Sequence, residues 1–359
     1  MPKDGSPQNK TLSAQQIASA LRNMGYSINF VRNIFYGVCG ITAQSWDKLI
    51  LKSEEVADSF LPDLNIIFQE ILLVGSKVYS MYKLDEAETQ KLEKYIASLN
   101  STNTTFGESY PLAIDDDKLS QGSRNNEFMA SFTTEINDKK LQVVQYCCRA
   151  IYRKTSEVAL SELKDSAKEK FEDGSVESIK VTSKLNTQLF NSLIYNKTDS
   201  YLLIGADTSE LSAATDTEAA LVRLKTNLKQ HFKFKLPAPI NLFPKIEDMY
   251  IEPNGRVTKV EFITPSDSIN SLSIKPGDRD VRNDSYHKAG EQEVDALDKF
   301  KIEKAWDFIF GSHERQISPT IALNGNKKLL HAADTLDLFY VKECPTIKHL
   351  VTIVEDAFF

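Results

Sequence analysis

The stretch from Lys275 to Lys288 holds the residue types best suited to chemistry. It reads KPGDRDVRNDSYHK, so seven charged side chains and one histidine lie within fourteen positions. Carboxylates bind Mg²⁺ or Mn²⁺ well, and such an ion turns water into a nucleophile in nucleases and phosphoesterases. One interpretation is therefore a metal-dependent site. Its candidate ligands are Asp278, Asp280, Asp284 and His287.

The charge balance of the same stretch favours a different interpretation. Four cations and three carboxylates are interleaved and leave a net charge of +1, whereas a metal cage normally carries excess negative charge. Interleaved charges favour local ion pairs, or guanidinium groups that face phosphate and are oriented by neighbouring carboxylates. A purely structural loop is the third interpretation. The candidate anion contacts are Arg279, Arg282 and Lys288.

A second concentration of positive charge lies in and after the predicted helix at 215–232. Three of its lysines recur at intervals of four, so they share a helix face and stand about 6 Å apart, a spacing that could follow a phosphate backbone. The alternative is a solvated face, because lysines near a helix C-terminus also suit the helix dipole. We call these cations the lysine row. They are Arg223, Lys225, Lys229, Lys233 and Lys235.

The segment 14–36 resembles a helix-turn-helix in outline, with a glycine between two apolar helical stretches. Such a corner would lay its second helix in the major groove, where side chains read base edges. That helix offers Arg32, Asn29 and Asn33, which are few groups for the phosphate contacts that supply most affinity. A plain corner of a helical bundle is the alternative.

Several catalytic signatures are absent from the sequence. It contains no GxxxxGK[ST], GxSxG, HExxH or CxxC motif. The tripeptide Glu162-Leu163-Lys164 matches part of a restriction-type nuclease site, but it falls in a predicted helix at 156–171 and such sites need a strand. We therefore expect a binding protein and not an enzyme, with no cofactor apart from the Mg²⁺ or Mn²⁺ of the alternative site.

The composition is typical of a soluble globular protein. A formal net charge of -7 argues against a protein coated in nucleic acid, but it leaves room for a local basic patch. The most apolar stretch, at 64–82, is interrupted by Gln69, Glu70 and Lys77, so we expect a core helix there and no contact with a membrane. Four cysteines without framework spacing fit a reducing cytoplasm.

The pattern of elements predicts an α+β fold. Residues 1–10 are expected to form a disordered tail, 11–99 a helical domain, 100–126 a flexible linker, and 127–359 a larger α+β domain of antiparallel β-hairpins flanked by helices. In that domain we expect hairpins at 190–205, at 256–274 and around Asn324-Gly325, and helices at 156–171, 215–232, 291–310 and 345–358.

The leading functional interpretation is a non-enzymatic regulatory protein that binds nucleic acid or a partner protein, with self-association through the helical domain. This profile also suits a bacterial or phage-borne accessory component of antiviral defence. The alternatives are a metal-dependent nuclease or phosphoesterase and a structural subunit of a larger complex. If the lysine row and the 275–288 loop lie on one surface, nucleic-acid binding is favoured, and opposite faces would argue against it.

Overall fold

The computed structural model describes residues 11–99, 106–107, 116–162, 178–208, 214–232, 235–274, 279–285, 287–288, 290, 297–330 and 335–359. It has the predicted mixed α+β architecture, in which an N-terminal helical region precedes the strand-rich part. A ten-stranded antiparallel sheet forms its centre. The predicted tail at 1–10 lies outside the described residues.

The helices begin and end at recognisable capping residues. Ser13 and Gln16 form a capping box in which the Ser13 hydroxyl accepts a hydrogen bond from the backbone N–H of Gln16, and α1 begins there. Gly40 ends α2 with a left-handed φ of 72°, which suits glycine. The helices are α1 (Ala14–Asn23), α2 (Ile28–Cys39), α3 (Trp46–Lys52), α4 (Leu61–Val74), α5 (Glu86–Ser98), α6 (Asp116–Leu119), α7 (Ala214–Phe232), α8 (Lys245–Ile251) and α9 (Ile347–Phe358).

The main sheet has the order β2-β3-β4-β5-β1-β12-β11-β8-β6-β7, and β9 and β10 form a separate hairpin. The strands are β1 (Lys77–Lys83), β2 (Glu127–Ile136), β3 (Lys139–Ala159), β4 (Ser178–Asn196), β5 (Tyr201–Asp207), β6 (Arg256–Ile263), β7 (Ile269–Ser273), β8 (Asp298–Ala305), β9 (Phe308–Phe310), β10 (Arg315–Ile317), β11 (Thr320–Asn324) and β12 (Phe339–Lys342).

Helices cover both faces of the sheet. On one face, which we call the α9 face, α4, α8 and α9 pack against Tyr79 and Met81, and α1 to α4 pack against Cys147 and Phe190. On the other, the α7 face, α5 and α7 pack against Val78 and Tyr82. Successive residues of a strand point to opposite faces, so β1 contributes to both layers.

The predicted core helix at 64–82 is wrong in its second half. α4 ends at Val74, and β1 begins at Lys77 after a short turn, so the region 11–99 is not helical throughout. β1 pairs with β5 along one edge and β12 along the other. A buried strand and a buried helix have similar apolar runs, and only these remote partners distinguish them. In the described part of the chain, no helix is both long and apolar enough to cross a membrane.

Two other predicted helices are also wrong. β3 continues through Ala159, so the first residues of the predicted helix at 156–171 are strand, while 163–171 lies outside the described residues. Where a helix was expected at 291–310, the structure has β8 and β9, and 291–296 is not described. In both regions, pairing with a neighbouring strand overrides the helical pattern of one segment.

The predicted hairpins at 190–205 and 256–274 are confirmed as β4–β5 and β6–β7. β11 and β12 are also antiparallel neighbours, but Asn324-Gly325 does not form a tight turn between them, because β12 begins only at Phe339. The helices expected at 215–232 and 345–358 are confirmed as α7 and α9.

Part of the predicted linker at 100–126 packs into the protein. Phe106 is fully buried and Leu119 of α6 is nearly so. Both belong to a core cluster that also contains Cys147 of β3 and Phe190 of β4. Residues 100–105 and 108–115 lie outside the described residues, so the division into two domains stays a prediction.

His349 makes the fold sensitive to acid. Its ring centroid lies 4.7 Å from that of Phe308, and its Nδ1 lies 2.6 Å from the Thr346 hydroxyl. Burial lowers the pKa of His349 from 6.5 to about 4, and the charge of Lys348 acts in the same direction. The unfolded chain takes up this proton at a higher pH than the folded chain, so stability falls as the pH falls through that interval.

We predict that His349→Asn reduces this loss of stability, because asparagine does not titrate and its amide oxygen can still accept from Thr346. Denaturant unfolding of both proteins between about pH 7 and pH 4 measures the effect. The wild-type free energy of unfolding should drop more than that of the variant below about pH 6.5. A difference between the two proteins that stays constant with pH would contradict the prediction.

Candidate nucleic-acid interface

α7 packs against the sheet through an apolar face. The buried residues of this face are Leu221, Leu224 and Leu228. Of the lysine row, Arg223 and Lys229 are exposed on the helix, and Lys235 is exposed just beyond it. Lys233 lies outside the described residues. The outer side of α7 therefore carries part of the expected positive surface.

Lys225 lies against the sheet instead of in solvent. Its Nζ donates to the Ser80 hydroxyl at 2.9 Å and lies 5.5 Å from the centroid of the Tyr82 ring. Burial lowers the pKa of Lys225, and the charge of Asp337 opposes this change. The stem of a lysine can cover apolar surface while its ammonium group reaches a polar partner, which explains this position on a largely apolar side of the helix.

Arg282 fastens the 275–288 loop to the end of α8. Its Nη2 lies 2.6 Å from Asp280 Oδ2, and Nε also donates to this carboxylate. Burial alone would raise the pKa of Asp280, but the hydrogen bonds and charge of Arg282 hold it below its ordinary value. With its five N–H groups engaged, this guanidinium has none left for phosphate. The carbonyl groups that accept from Arg282 are those of Tyr250, Glu252 and Gly255.

Lys304 binds the same end of α8 from β8. This side chain is fully buried, and its Nζ donates to the carbonyls of Met249 and Glu252 at 2.9 and 2.7 Å. Burial lowers the pKa of Lys304 to about 8, and the neighbouring charge of Arg282 adds to the effect. Cations at the carbonyl end of a helix are favourably placed, so these two residues act as a structural clamp.

The predicted metal ligands are engaged with protein groups. Asp284 accepts a hydrogen bond from the backbone N–H of His287, and the His287 ring lies buried with its Nε2 2.7 Å from the Tyr250 hydroxyl. Asp280 is paired with Arg282, and Asp278 lies outside the described residues. Among the residues that the structure describes, no three His, Cys, Asp or Glu side chains are grouped so as to hold a metal ion.

The lysine row and the 275–288 loop lie on opposite sides of the sheet. α7 covers the α7 face, whereas Val281 of the loop is buried with Tyr250 in the core of the α9 face. Arg279 and Lys288 of the loop are exposed on that side. The structure therefore does not bring the two predicted basic concentrations together on one surface, and this argues against nucleic-acid binding through the two of them jointly.

The second helix of the helix-turn-helix-like corner is covered by the β9–β10 hairpin. Arg315 of β10 donates from Nε to Asn33 Oδ1 at 2.8 Å, and its guanidinium lies 5.5 Å from the centroid of the Tyr36 ring. Arg32 and Asn33 are half-buried and Asn29 is exposed. α2 is thus packed within the protein on the side that a groove would have to approach.

A different cationic feature comes from β3 and β4, which extend beyond the rest of the sheet. They stay paired without a register shift as far as Ala159 and Ser178. β2 pairs with β3 only as far as Cys147, and β5 pairs with β4 only from Ser192. A two-stranded ribbon therefore projects from the sheet, and ten residues in each strand give it a length of about 33 Å.

This ribbon, residues 150–159 with 178–187, carries an excess of positive charge. Its paired residues include four cations and one carboxylate, a net charge of +3, and the carboxylate, Glu157, stands opposite Lys180. The segment 160–177 that joins the two strands has three cations and six carboxylates. The five consecutive residues at 180–184 are all exposed, and because successive residues alternate in direction, solvent reaches both faces of the ribbon. The charged residues are Arg153, Lys154, Lys180, Lys184 and Glu157.

Arg223 of α7 stands close to the base of the ribbon. Burial raises the pKa of the Cys148 thiol to about 11, and the nearby positive charge of Arg223 opposes that rise. Cys148 lies in β3 just before the ribbon and packs on the α7 face with the leucines of α7. One member of the lysine row thus adjoins the cationic ribbon, although the 275–288 loop does not.

The sequence analysis missed the ribbon because it assigned 156–171 to a helix. A usable signal stands in β4, where SIKVTSKLN alternates apolar and polar residues with a period of two. Lys180 and Lys184 fall on one side of that alternation, and Ile179 and Val181 on the other. Without a partner strand, however, a short alternation of this kind does not reveal how far the pair extends.

A scan of the chain against models of known protein families finds no match. A search of curated proteins finds no significantly similar sequence. The function of the chain is therefore inferred from its own geometry.

The loop has one arginine bound within the protein, Arg282, and one exposed arginine, Arg279. Comparing their variants tests whether Arg282 holds the loop in place. We predict that Arg282→Ala lowers the free energy of unfolding by about 3 kcal/mol or more, because Asp280 and several carbonyl groups lose their partner. Arg279→Ala removes the same charge from an exposed position and should change stability by less than about 0.5 kcal/mol. Denaturant unfolding of both variants measures this, and equal effects would contradict the clamp.

Proposed function

We propose that this protein is a non-enzymatic nucleic-acid-binding protein of the cytoplasm and that the ribbon is its main contact surface. The observation that supports this is the projection of two paired strands, exposed on both faces, with a net charge of +3 in an acidic chain. A two-stranded ribbon is marginally stable in water without further packing. A ligand that covers it would supply that packing, and phosphate groups match its charge.

The dimensions of the ribbon suit the major groove of a DNA duplex. That groove is about 12 Å wide and admits a two-stranded β-ribbon, whose strands lie about 4.8 Å apart. Lys180 and Lys184 lie on the same face of β4 about 13 Å apart, close to the rise of four base pairs. The major groove of an RNA duplex is too narrow for side chains to read, so this proposal favours DNA over double-stranded RNA.

α7 offers additional cations beside the base of the ribbon. Arg223 is exposed there, and Lys229 and Lys235 continue the positive surface along and beyond the helix. Exposed lysines and arginines of this kind contact phosphates without reading sequence, and they position a protein on the duplex. Arg279 and Lys288 lie on the opposite side of the sheet and take no part in this contact.

Two observations bear on the proposed location and on the alternative functions. Cys39, Cys147, Cys148 and Cys344 are all free thiols, which is compatible with the proposed reducing location. The metal-dependent nuclease is less favoured, because Asp280, Asp284 and His287 each have a protein partner. The alternative of a structural subunit in a larger complex is less favoured, because it does not account for the positive charge of the ribbon.

We predict that Lys180→Gln/Lys184→Gln weakens DNA binding through the loss of two phosphate contacts. The slope of log K against log salt concentration should become shallower by about two, because each contact contributes about 0.9. Fluorescence anisotropy with a labelled duplex over a range of salt concentrations measures both quantities. A parallel titration with double-stranded RNA should show weaker binding by the wild-type protein.

A matched control is Lys328→Gln/Lys348→Gln, which removes the charges of two exposed lysines, one in the turn after β11 and one in α9. This variant should retain the wild-type affinity and salt slope. The proposed function is wrong if the wild-type protein fails to bind any duplex at low salt, or if the two double variants lose affinity equally.

A further inference from the structure

Among the residues that the structure describes, the outer edge of β3 has no neighbouring strand along the ribbon. β2 ends its pairing with β3 at Cys147, and just beyond it the Arg149 N–H donates to the Ser123 carbonyl at 2.7 Å. From 151 to 159, no strand in the described part of the chain pairs with this edge. The bare edge is about 30 Å long, and an exposed edge of this kind is a template for another strand.

Arg149 shows which backbone groups of β3 point outward. Its N–H points away from β4, toward Ser123. In an antiparallel strand the N–H and C=O of one residue point to the same side, and the side alternates from residue to residue. The register of β3 with β4 is continuous to Ala159, so alternate residues continue this direction. The residues that offer both groups at the free edge are Ile151, Arg153, Thr155, Glu157 and Ala159.

The charges of the edge select one register for pairing with a second copy of the chain. In a symmetric antiparallel pair of identical strands, the twofold axis passes through one residue position, and that residue faces its own copy in the partner chain. If the axis passed between two residues, N–H and C=O groups that point outward in one chain would face residues of the other chain whose groups point inward. With Thr155 on the axis, Arg153 of each copy stands opposite Glu157 of the other. An axis at Arg153, Lys154 or Glu157 would set like charges against each other.

An axis at Ser156 would leave Arg153 opposite an uncharged residue, so it offers no complementary pair. Among the axes near the middle of the edge, the one at Thr155 therefore places Arg153 of each copy opposite Glu157 of the other. It also brings together outward-facing residues, which exchange two backbone hydrogen bonds in each pair. Backbone direction allows an axis at Thr155 or at Ser156, and the charges favour Thr155.

We propose that the protein forms a symmetric dimer in which the β3 edges pair antiparallel about Thr155. The product is a four-stranded sheet in the order β4-β3-β3-β4, held by about ten interchain backbone hydrogen bonds. It covers the bare edge and places the two sheet bodies at opposite ends of the shared ribbon. The dimer does not depend on nucleic acid. Its four-stranded sheet is wider than the two-stranded ribbon that the major groove admits, so a second copy and a DNA duplex compete for the ribbon.

A charge exchange on the full-length chain tests this pairing in the absence of nucleic acid. Arg153→Glu and Glu157→Arg each place like charges opposite one another at two symmetric positions, and each should weaken the dimer about tenfold. Arg153→Glu/Glu157→Arg restores opposite charges and should return the dissociation constant close to the wild-type value. Sedimentation velocity over a range of protein concentrations measures all four proteins.

Disulfide cross-linking tests the register. Two copies of Thr155→Cys would have Cα atoms about 5.5 Å apart across the axis, within the range for a disulfide. Ser156→Cys is the matched control, because its two copies would lie about 8 Å apart. Oxidation should link Thr155→Cys and leave Ser156→Cys and the wild type as single chains on a non-reducing gel.

Three results would overturn the dimer as described. They are a wild-type protein that is monomeric at all concentrations, a double charge variant no better than the single variants, and cross-linking of Ser156→Cys in preference to Thr155→Cys. Each of these leaves DNA binding by a single ribbon untouched. Conversely, a protein that dimerises but binds no duplex even when it is diluted to the monomer would remove the proposed function and keep the pairing.

Discussion

The sheet depends on the pairing of β1 with β5 and β12. β1 lies between them in the strand order and so joins the four strands β2 to β5 to the five from β12 to β7. At its start, Lys77 stands opposite Asp207, both are almost fully buried, and Lys77 Nζ donates to the Phe190 carbonyl. Burial lowers the pKa of Lys77, and the charge of Asp207 opposes this change. A buried cation at this junction is tolerated because a carboxylate and a carbonyl compensate it.

The ribbon is anchored in the half of the sheet that β1 secures. Cys147 and Phe190 lie at its base and belong to the same core cluster as the N-terminal helices, while Cys148 packs against α7 on the other face. Helical layers thus hold the base from both sides, and the strands then continue with no further neighbours among the described residues. A rigid base and an uncovered extension are what a protein needs in order to present a strand pair to a ligand.

Some cations of the protein are bound to its own polar groups, and others are exposed and can contact a ligand. Arg282 and Lys304 bind carbonyl groups at the end of α8, and Lys225 reaches Ser80 from α7. Lys180 and Lys184 are exposed on a strand that no other layer of the described residues covers. The presence of a lysine or arginine in the sequence therefore does not show that its charge is exposed. A buried cation loses its hydration, and hydrogen bonds that form only in the folded chain offset this loss.

The sequence by itself determined the features that depend on residues close together in the chain. The capping box at Ser13, the amphipathic α7 and two of the three hairpins follow from such local patterns, and so does the α+β class. Only the tertiary structure decided that 77–83 is a central strand, that β3 extends to Ala159, and which cations reach solvent. The reason is physical: strand pairing and burial depend on hydrogen bonds and neighbours far away in sequence, and a single segment carries no record of them.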